Sequence, residues 1–283
     1  MQEDVDKLVA LFELEELEVN LFRGQNPEDE RKAVFGGQVA GQALRAAGRT
    51  VEGRAVHSLH AYFLRPGDPK SPILYQVERL RDGRSFTTRR VTAIQHGEAI
   101  FALSSSFQVA EEGAQHQAKM PTTPDPESLP NEAERLEEIR AEGIDVEDWM
   151  LWDLGLDTRY ADPKDETGKE EHPPLWRTWF KADGRLPDDP LLHRCVIAYG
   201  SDTTLLDTAL RPHPELLTTN LQVASLDHAM WFHRPVRADE WLLYVQESPS
   251  MANSRSFSTG SLFTRDGKLA VSVAQEGLVR LRA

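Results

Sequence analysis

Two stretches of this 283-residue chain repeat each other at nearly fixed spacing, and that repeat limits the possible folds more than any other feature. Residues 58–66 read S-L-H-A-Y-F-L-R-P, and residues 228–235 read H-A-M-W-F-H-R-P. Gly83-Arg84-Ser85-Phe86 and Ser254-Arg255-Ser256-Phe257 each precede a long strand-like run. Gln95-His96-Gly97-Glu98 and Arg265-Asp266-Gly267-Lys268 each read as a hairpin turn in which glycine supplies positive φ. The three pairs lie 169, 171 and 170 residues apart. Spacing this steady marks a duplicated module.

Each copy reads as one helix followed by several strands. In the first, residues 35–50 place Val39, Ala43 and Ala46–Ala47 on one helical face, with small residues that permit close packing. Strand-like runs follow at 56–66, 73–80, 85–95 and 99–109. In the second copy the helical stretch is 191–210, and the strand-like runs are 220–235, 240–248, 255–265 and 268–281. A long helix wrapped by an antiparallel sheet is the hotdog module. The predicted fold is therefore α+β, a double hotdog with helices over 36–49 and 191–210. Joining the two sheets edge to edge would hide strands that otherwise invite aggregation.

Charge separates the copies. Residues 111–172 hold 19 Asp and Glu against 6 Lys and Arg, so nearly all of the chain's net charge of -14 sits there. The segment contains P-T-T-P-D-P-E-S-L-P at 121–130, a predicted helix at 131–143, and D-P-K-D-E-T-G-K-E-E-H-P-P at 162–174. Trp149, Leu151, Trp152 and Leu154 give it apolar anchors, so it reads as a partly ordered connector lying on its neighbours. The expected division is an N-terminal hotdog module over 1–110, an acidic connector over 111–174 and a C-terminal module over 175–283.

Several functions are disfavoured. Near-neutral flanks lack the basic stripe that nucleic acid requires. No run approaches the roughly 18 apolar residues of a membrane span. The acidic start is no secretory signal, and G-L-V-R-L-R-A is no peroxisomal tripeptide, so a cytoplasmic protein is expected. A single cysteine, Cys195, and His pairs spaced three (57, 60) or five (228, 233) apart argue against a metal site. Cys195 reads as a packed small hydrophobe. No G-x-S-x-G, Walker A, G-x-G-x-x-G or H-E-x-x-H occurs. No cofactor is expected.

The chain resembles the acyl-CoA thioesterase II family of double-hotdog thioesterases over roughly residues 15–110 and 175–282. The strings that carry the resemblance are FGGQVAGQAL, HSLHAYFLRPGDPKSPI, LRDGRSFTTRR and AIQHGEAIFALSSSFQ, then AYGSDTTLL, DHAMWFHRP, EWLLY and VAQEG. The resemblance implies hydrolysis of a fatty acyl-CoA to free acid and CoA, and assembly to a homodimer or homotetramer. It also implies three catalytic residues, Asp202 in Y-G-S-D, Ser225 in Q-V-A-S-L-D-H and Gln275 in V-A-Q-E-G. Ser225 stands where a relative has threonine; either residue offers a hydroxyl.

The chemistry suits that trio. A thioester carbonyl is electrophilic enough for direct attack by water. The site needs a base for the water's proton and groups that hold the water in place. Asp202 is the expected base, and Ser225 and Gln275 are the expected holders. Oxyanion donors are expected from the turn V-F-G-G-Q at 34–38, where glycine admits ligand to the backbone. The first copy has Gly41-Gln42 near the place where an acid would be wanted, so it is expected to shape the pocket only. Two alternatives stay open: a hotdog enoyl hydratase or dehydratase, and a non-catalytic acyl-CoA binder. The first commonly uses Asp-x4-His, but Asp207 stands where that histidine would be. An Asp227–His228 dyad is a further option. Arg65, Arg84, Arg234 and Arg255 are available for the CoA phosphates or for carboxylates.

Overall fold

The structure, a computed structural model, describes residues 2–27, 32–141, 155–162, 170–217 and 219–282. The first half runs α1 (Gln2–Leu11), β1 (Glu15–Glu18), β2 (Leu21–Gly24), α2 (Gly36–Gly48), β3 (Ala55–Phe63), β4 (Ile73–Asp82), β5 (Phe86–Gln95) and β6 (Glu98–Gln108). Then come α3 (Glu132–Ala141), β7 (Leu156–Tyr160), β8 (Leu175–Ala182), α4 (Pro190–Ser201), α5 (Pro214–Leu217), β9 (Leu221–Ser225), β10 (Asp227–Phe232), β11 (Leu242–Ala252), β12 (Arg255–Thr264) and β13 (Leu269–Leu281). All strands join one sheet in the order β1-β2-β4-β5-β6-β3-β10-β13-β12-β11-β8-β7, with β9 also paired to β13. Every pairing is antiparallel.

The sequence order folds into mirrored halves. Strands β3 and β10 meet at the centre, where His60 pairs with Ala229, Tyr62 with Asp227 and Ser58 with Trp231. Adding 169 to one member of a pair gives a residue of the same ladder, so an approximate two-fold axis passes through His60 and Ala229. The helices obey the same axis with a different offset: α2 begins at Gly36 and α4 at Pro190, 154 residues later. They cross at Gly41 and Cys195, also 154 apart, where a β-carbon on Gly41 would come 2.9 Å from the Cys195 carbonyl oxygen. The two offsets differ because residues 203–219, in the second half, have no counterpart of that length in the first.

The helices are more buried than an amphipathic pattern suggests. Nearly every residue of α2, from Gly37 to Gly48, is buried, as is α4 from Cys195 to Ser201. A helix apolar on all sides belongs inside a core, and one continuous core runs through both halves. Asp189 caps α4 by accepting from the Leu191 and Leu192 amides, with Pro190 at the first helical position. That helix ends at Ser201, short of the predicted 210. Thr203 Oγ1 folds back to the Gly200 carbonyl and Thr204 Oγ1 donates to Gln246, so hydroxyls compete with the next helical turn. The run predicted over 220–235 is split at Leu226 into β9 and β10.

The positive φ at Gly97 and Gly267 matches the hairpins expected there. Among the connector residues described, the stretch before α3 lies on the outer face of the second half-sheet. Trp179 Nε1 donates to the Pro124 carbonyl, and Met120 and Leu129 pack on Trp179, Trp241, Leu243 and Phe263. Arg265 pairs with Asp125 at 2.8 Å and Glu127 at 2.7 Å. The four apolar anchors read at Trp149, Leu151, Trp152 and Leu154 fall outside the described residues.

Candidate active site

The residues singled out in the second half converge. Asp202 is the C-cap of α4, with φ -91° and ψ -2°. Ser225 closes β9 opposite Gly277 of β13. Gln275 lies between the part of β13 that pairs with β10 and the part that pairs with β9. The break at Leu226 therefore opens the ladder beside Gln275 and turns Ser225 toward it. The first half has only an irregularity between Val56 and Ser58 at the equivalent place.

The hydrogen bonds join the three side chains to one another. Gln275 Nε2 donates to Asp202 Oδ1 at 2.7 Å and to Ser225 Oγ at 2.7 Å. Ser225 Oγ donates to Asp202 Oδ1 at 3.2 Å. Oδ1 thus receives two bonds from the trio, leaving Oδ2 as the candidate base. Gln275 Oε1 is buried with no partner among the described residues. An acceptor placed so is available to a ligand or a water.

The first half completes the site. A β-carbon on Gly36 would lie 2.7 Å from Asp202 Oδ2 and 2.8 Å from the Phe63 ring, and one on Gly37 would lie 2.5 Å from the Tyr199 carbonyl oxygen. Only glycine lets the start of α2 come this close. The first amides of a helix have no partner one turn back. The Gly37 amide is spent on the Asp202 carboxylate. Burial pushes the Asp202 carboxyl up to about 6, while bonds from Gln275, Ser225 and the Gly37 amide pull it down and nearby Asp207 adds to the rise. A carboxylate tuned so ionises just below neutrality, where a general base is most useful.

The two-fold axis shows what the first half holds at the same positions. Gly48 stands for Asp202, Val56 for Ser225 and Ser105 for Gln275. Leu191 fills the space beside Gly48, its side chain 2.4 Å from where a β-carbon there would be. The counterpart of the carboxylate is thus Gly48 and not Gly41-Gln42, because Gly41 sits on the axis. Gln42 instead binds the Leu11 and Gln25 carbonyls and accepts from Tyr75.

Other candidates have different duties. Asp227 and His228 are neighbours on β10 and face opposite ways, so they form no dyad. Asp227 accepts from the Glu276 amide at 2.7 Å. His228 is buried, and burial pushes it down to about 4. His233 is exposed and contacts Ser272 Oγ. Cys195 is buried, with its thiol pushed up to about 12. Arg65 pairs with Glu98, Arg255 with Glu276, and Arg234 donates to the Leu269 carbonyl. Sequence reasoning missed Tyr244, whose hydroxyl donates to the Ser201 carbonyl, and Gln246, which accepts from Thr204 just after Asp202.

A double-hotdog chain with a carboxylate, a hydroxyl and an amide joined at the seam of its halves defines a class of protein, and comparison with known proteins gives the family. The acyl-CoA thioesterase family model matches residues 163–278, and the model for the acyl-CoA thioesterase N-terminal domain matches residues 27–108. Acyl-coenzyme A thioesterase 8 of Mus musculus is 41% identical, covering 97% of this chain and 89% of its own. Acyl-CoA thioesterase 2 of Haemophilus influenzae is 38% identical, covering 99% of each. Among solved structures, the acyl-CoA thioesterase II TesB2 of Mycobacterium marinum superposes with a TM-score of 0.81 at 44% identity, covering 98% of each chain. This chain belongs to the acyl-CoA thioesterase family.

Proposed function

We propose that this protein hydrolyses fatty acyl-CoA thioesters to free fatty acid and CoA, using one water activated by Asp202 and held by Ser225 and Gln275, without a covalent intermediate. One observation carries the reading: Asp202, Ser225 and Gln275 bond to one another and leave Asp202 Oδ2 and Gln275 Oε1 unoccupied by the trio. A water donating to both would have its lone pair free for the thioester carbon, and Ser225 holds that water through its bonds to Asp202 and Gln275, which fix where their free oxygens point. The water's oxygen bonds to that carbon and its proton passes to Oδ2. The tetrahedral oxyanion is met by a backbone amide of the 34–38 turn other than that of Gly37, which holds Asp202. Collapse breaks the carbon–sulfur bond, and the proton leaves with the CoA thiolate.

The names of the relatives support acyl-CoA as substrate. The same reading takes residues 1–110 and 175–283 as the two modules and 111–174 as the connector between them. It also expects a homodimer or homotetramer in the cytoplasm, acting in fatty acid metabolism. Thiol release from acyl-CoAs of graded chain length tests the activity; no release from any of them would refute it. Intact-mass spectrometry on enzyme quenched during turnover tests the mechanism. The chain's own mass is expected, and a population heavier by one acyl group would contradict direct attack by water.

A further inference from the structure

Beneath the candidate base lies a buried polar pair that the mechanism does not use. Ser201, the residue before Asp202, is fully buried, and its Oγ lies 2.9 Å from Nε2 of His228, itself 1% exposed. With the Ser201 hydroxyl donating to the Ala198 carbonyl at 3.0 Å, the tautomer that carries its proton on His228 Nε2 completes the pair. The other ring nitrogen, Nδ1, is buried and has no partner among the described residues. Tyr244 grips the same residue from another side, its hydroxyl donating to the Ser201 carbonyl at 3.1 Å. Met230 Sδ also faces the Ser201 hydroxyl; among the described residues, no charged side chain is hydrogen-bonded to the His228 ring.

The first half shows what this place holds when no carboxylate follows. The counterpart of Ser201 is Ala47, by the helix offset, and that of His228 is Leu59, by the strand offset. Both are fully buried core residues. An imidazole with an unpaired nitrogen is a costly replacement for a leucine in a core. The polar pair is found in the half that carries Asp202 and not in the half that carries Gly48.

We propose that His228 is a positioning residue, which acts through Ser201 to lock the last turn of α4 so that Asp202 meets Gln275, Ser225 and the start of α2. This rests on Asp202 being the base. In the reaction His228 stays neutral and moves no proton.

The test compares kcat, KM and the pH profile for His228→Leu, His228→Gln, Ser201→Ala and the double variant Ser201→Ala/His228→Leu, with Asp202→Asn as control. Leucine and alanine are the first half's own choices, so a folded core is expected. His228→Leu should lower kcat about tenfold with KM little changed. His228→Gln, whose amide can still donate to Ser201, should recover most of the loss. The double variant should be no worse than the poorer single variant, because the two residues act along one path. In His228→Leu the acid limb of kcat should move to higher pH, since a loosened Asp202 loses the bonds that hold its pKa down. A drop in melting temperature with kcat and pH limb unchanged would overturn the proposal. So would an inactive His228→Gln beside a fully active Ser201→Ala, which would make His228 the base. If Asp202→Asn keeps full activity, the proposed mechanism itself fails; if it alone loses activity, only the positioning role fails.

Discussion

A β-carbon added to Gly36 would lie 2.7 Å from Oδ2 of Asp202, across the seam between the two halves. The base proposed in one half is thus shaped by the backbone of the other. Gly36→Ala cannot be accommodated by a swing of the carboxylate alone, because the Phe63 ring stands 2.8 Å from the same point. Displacement of a reacting group by around 1 Å can cost ~100-fold, so kcat should fall by about 10- to 100-fold. Circular dichroism and steady-state kinetics on one preparation check this. A folded Gly36→Ala protein with unchanged kcat would show that the seam is not part of the site.

The pH profile follows from the same carboxylate. Asp202 must be ionised to take a proton, and burial raises its pKa to about 6. Activity should therefore be level above that pH and fall tenfold per unit below it. Gln275 and Ser225 hold the pKa down, so Gln275→Ala and Ser225→Ala should move the acid limb upward as well as lowering kcat. A limb that stays fixed in both variants would remove Asp202 as its source.

Stability should respond in the opposite sense to activity. A carboxyl whose folded pKa exceeds its unfolded value binds extra protons in the native state between those two values. Stability then falls as pH rises from about 4 to about 6. At about 1.4 kcal/mol per unit, the full penalty above that window is at most about 3 kcal/mol, reduced because Asp202 keeps a partly exposed edge. Asp202→Asn should accordingly be more stable than wild type at pH 7, by roughly 1–3 kcal/mol. The gain should shrink to less than about 1 kcal/mol near pH 4, where the carboxyl of the folded protein is protonated. Urea melts at the two pH values measure it, and a variant less stable at pH 7 would contradict the shift.

The duplication was legible because β-strand landmarks such as Arg65-Pro66 and Arg234-Pro235 survive in both copies at steady spacing. The helix correspondence was not, because the residues that follow Asp202 change the offset from 169 to 154. That hidden change is why Gly41-Gln42 looked like the counterpart of the acid while Gly48 holds the place. The second helix read too long because Leu205, Leu206, Ala209 and Leu210 continue an apolar pattern, whereas the Thr203 and Thr204 hydroxyls stop the helix. Strand β1, Glu15–Glu18, is exposed at every residue and gives no alternation to read. Gly36-Gly37 announced a close backbone approach. Ser225 and Gln275 look like ordinary strand residues, and only the family resemblance distinguished them.

The central claim is that Asp202 takes the proton of the attacking water while Ser225 and Gln275 hold that water. Asparagine keeps the size of Asp202 but offers no basic oxygen at neutral pH. General-base catalysis is worth about 10²–10⁴-fold, so kcat for Asp202→Asn at pH 7.5 should fall within that range. Ser225→Ala and Gln275→Ala should each cost no more, and the triple variant should be little worse than Asp202→Asn, because all three act on one water. Turnover of folded Asp202→Asn on a saturating acyl-CoA is the measurement that decides. A loss of 10²-fold or more supports the account, and turnover near wild type contradicts it.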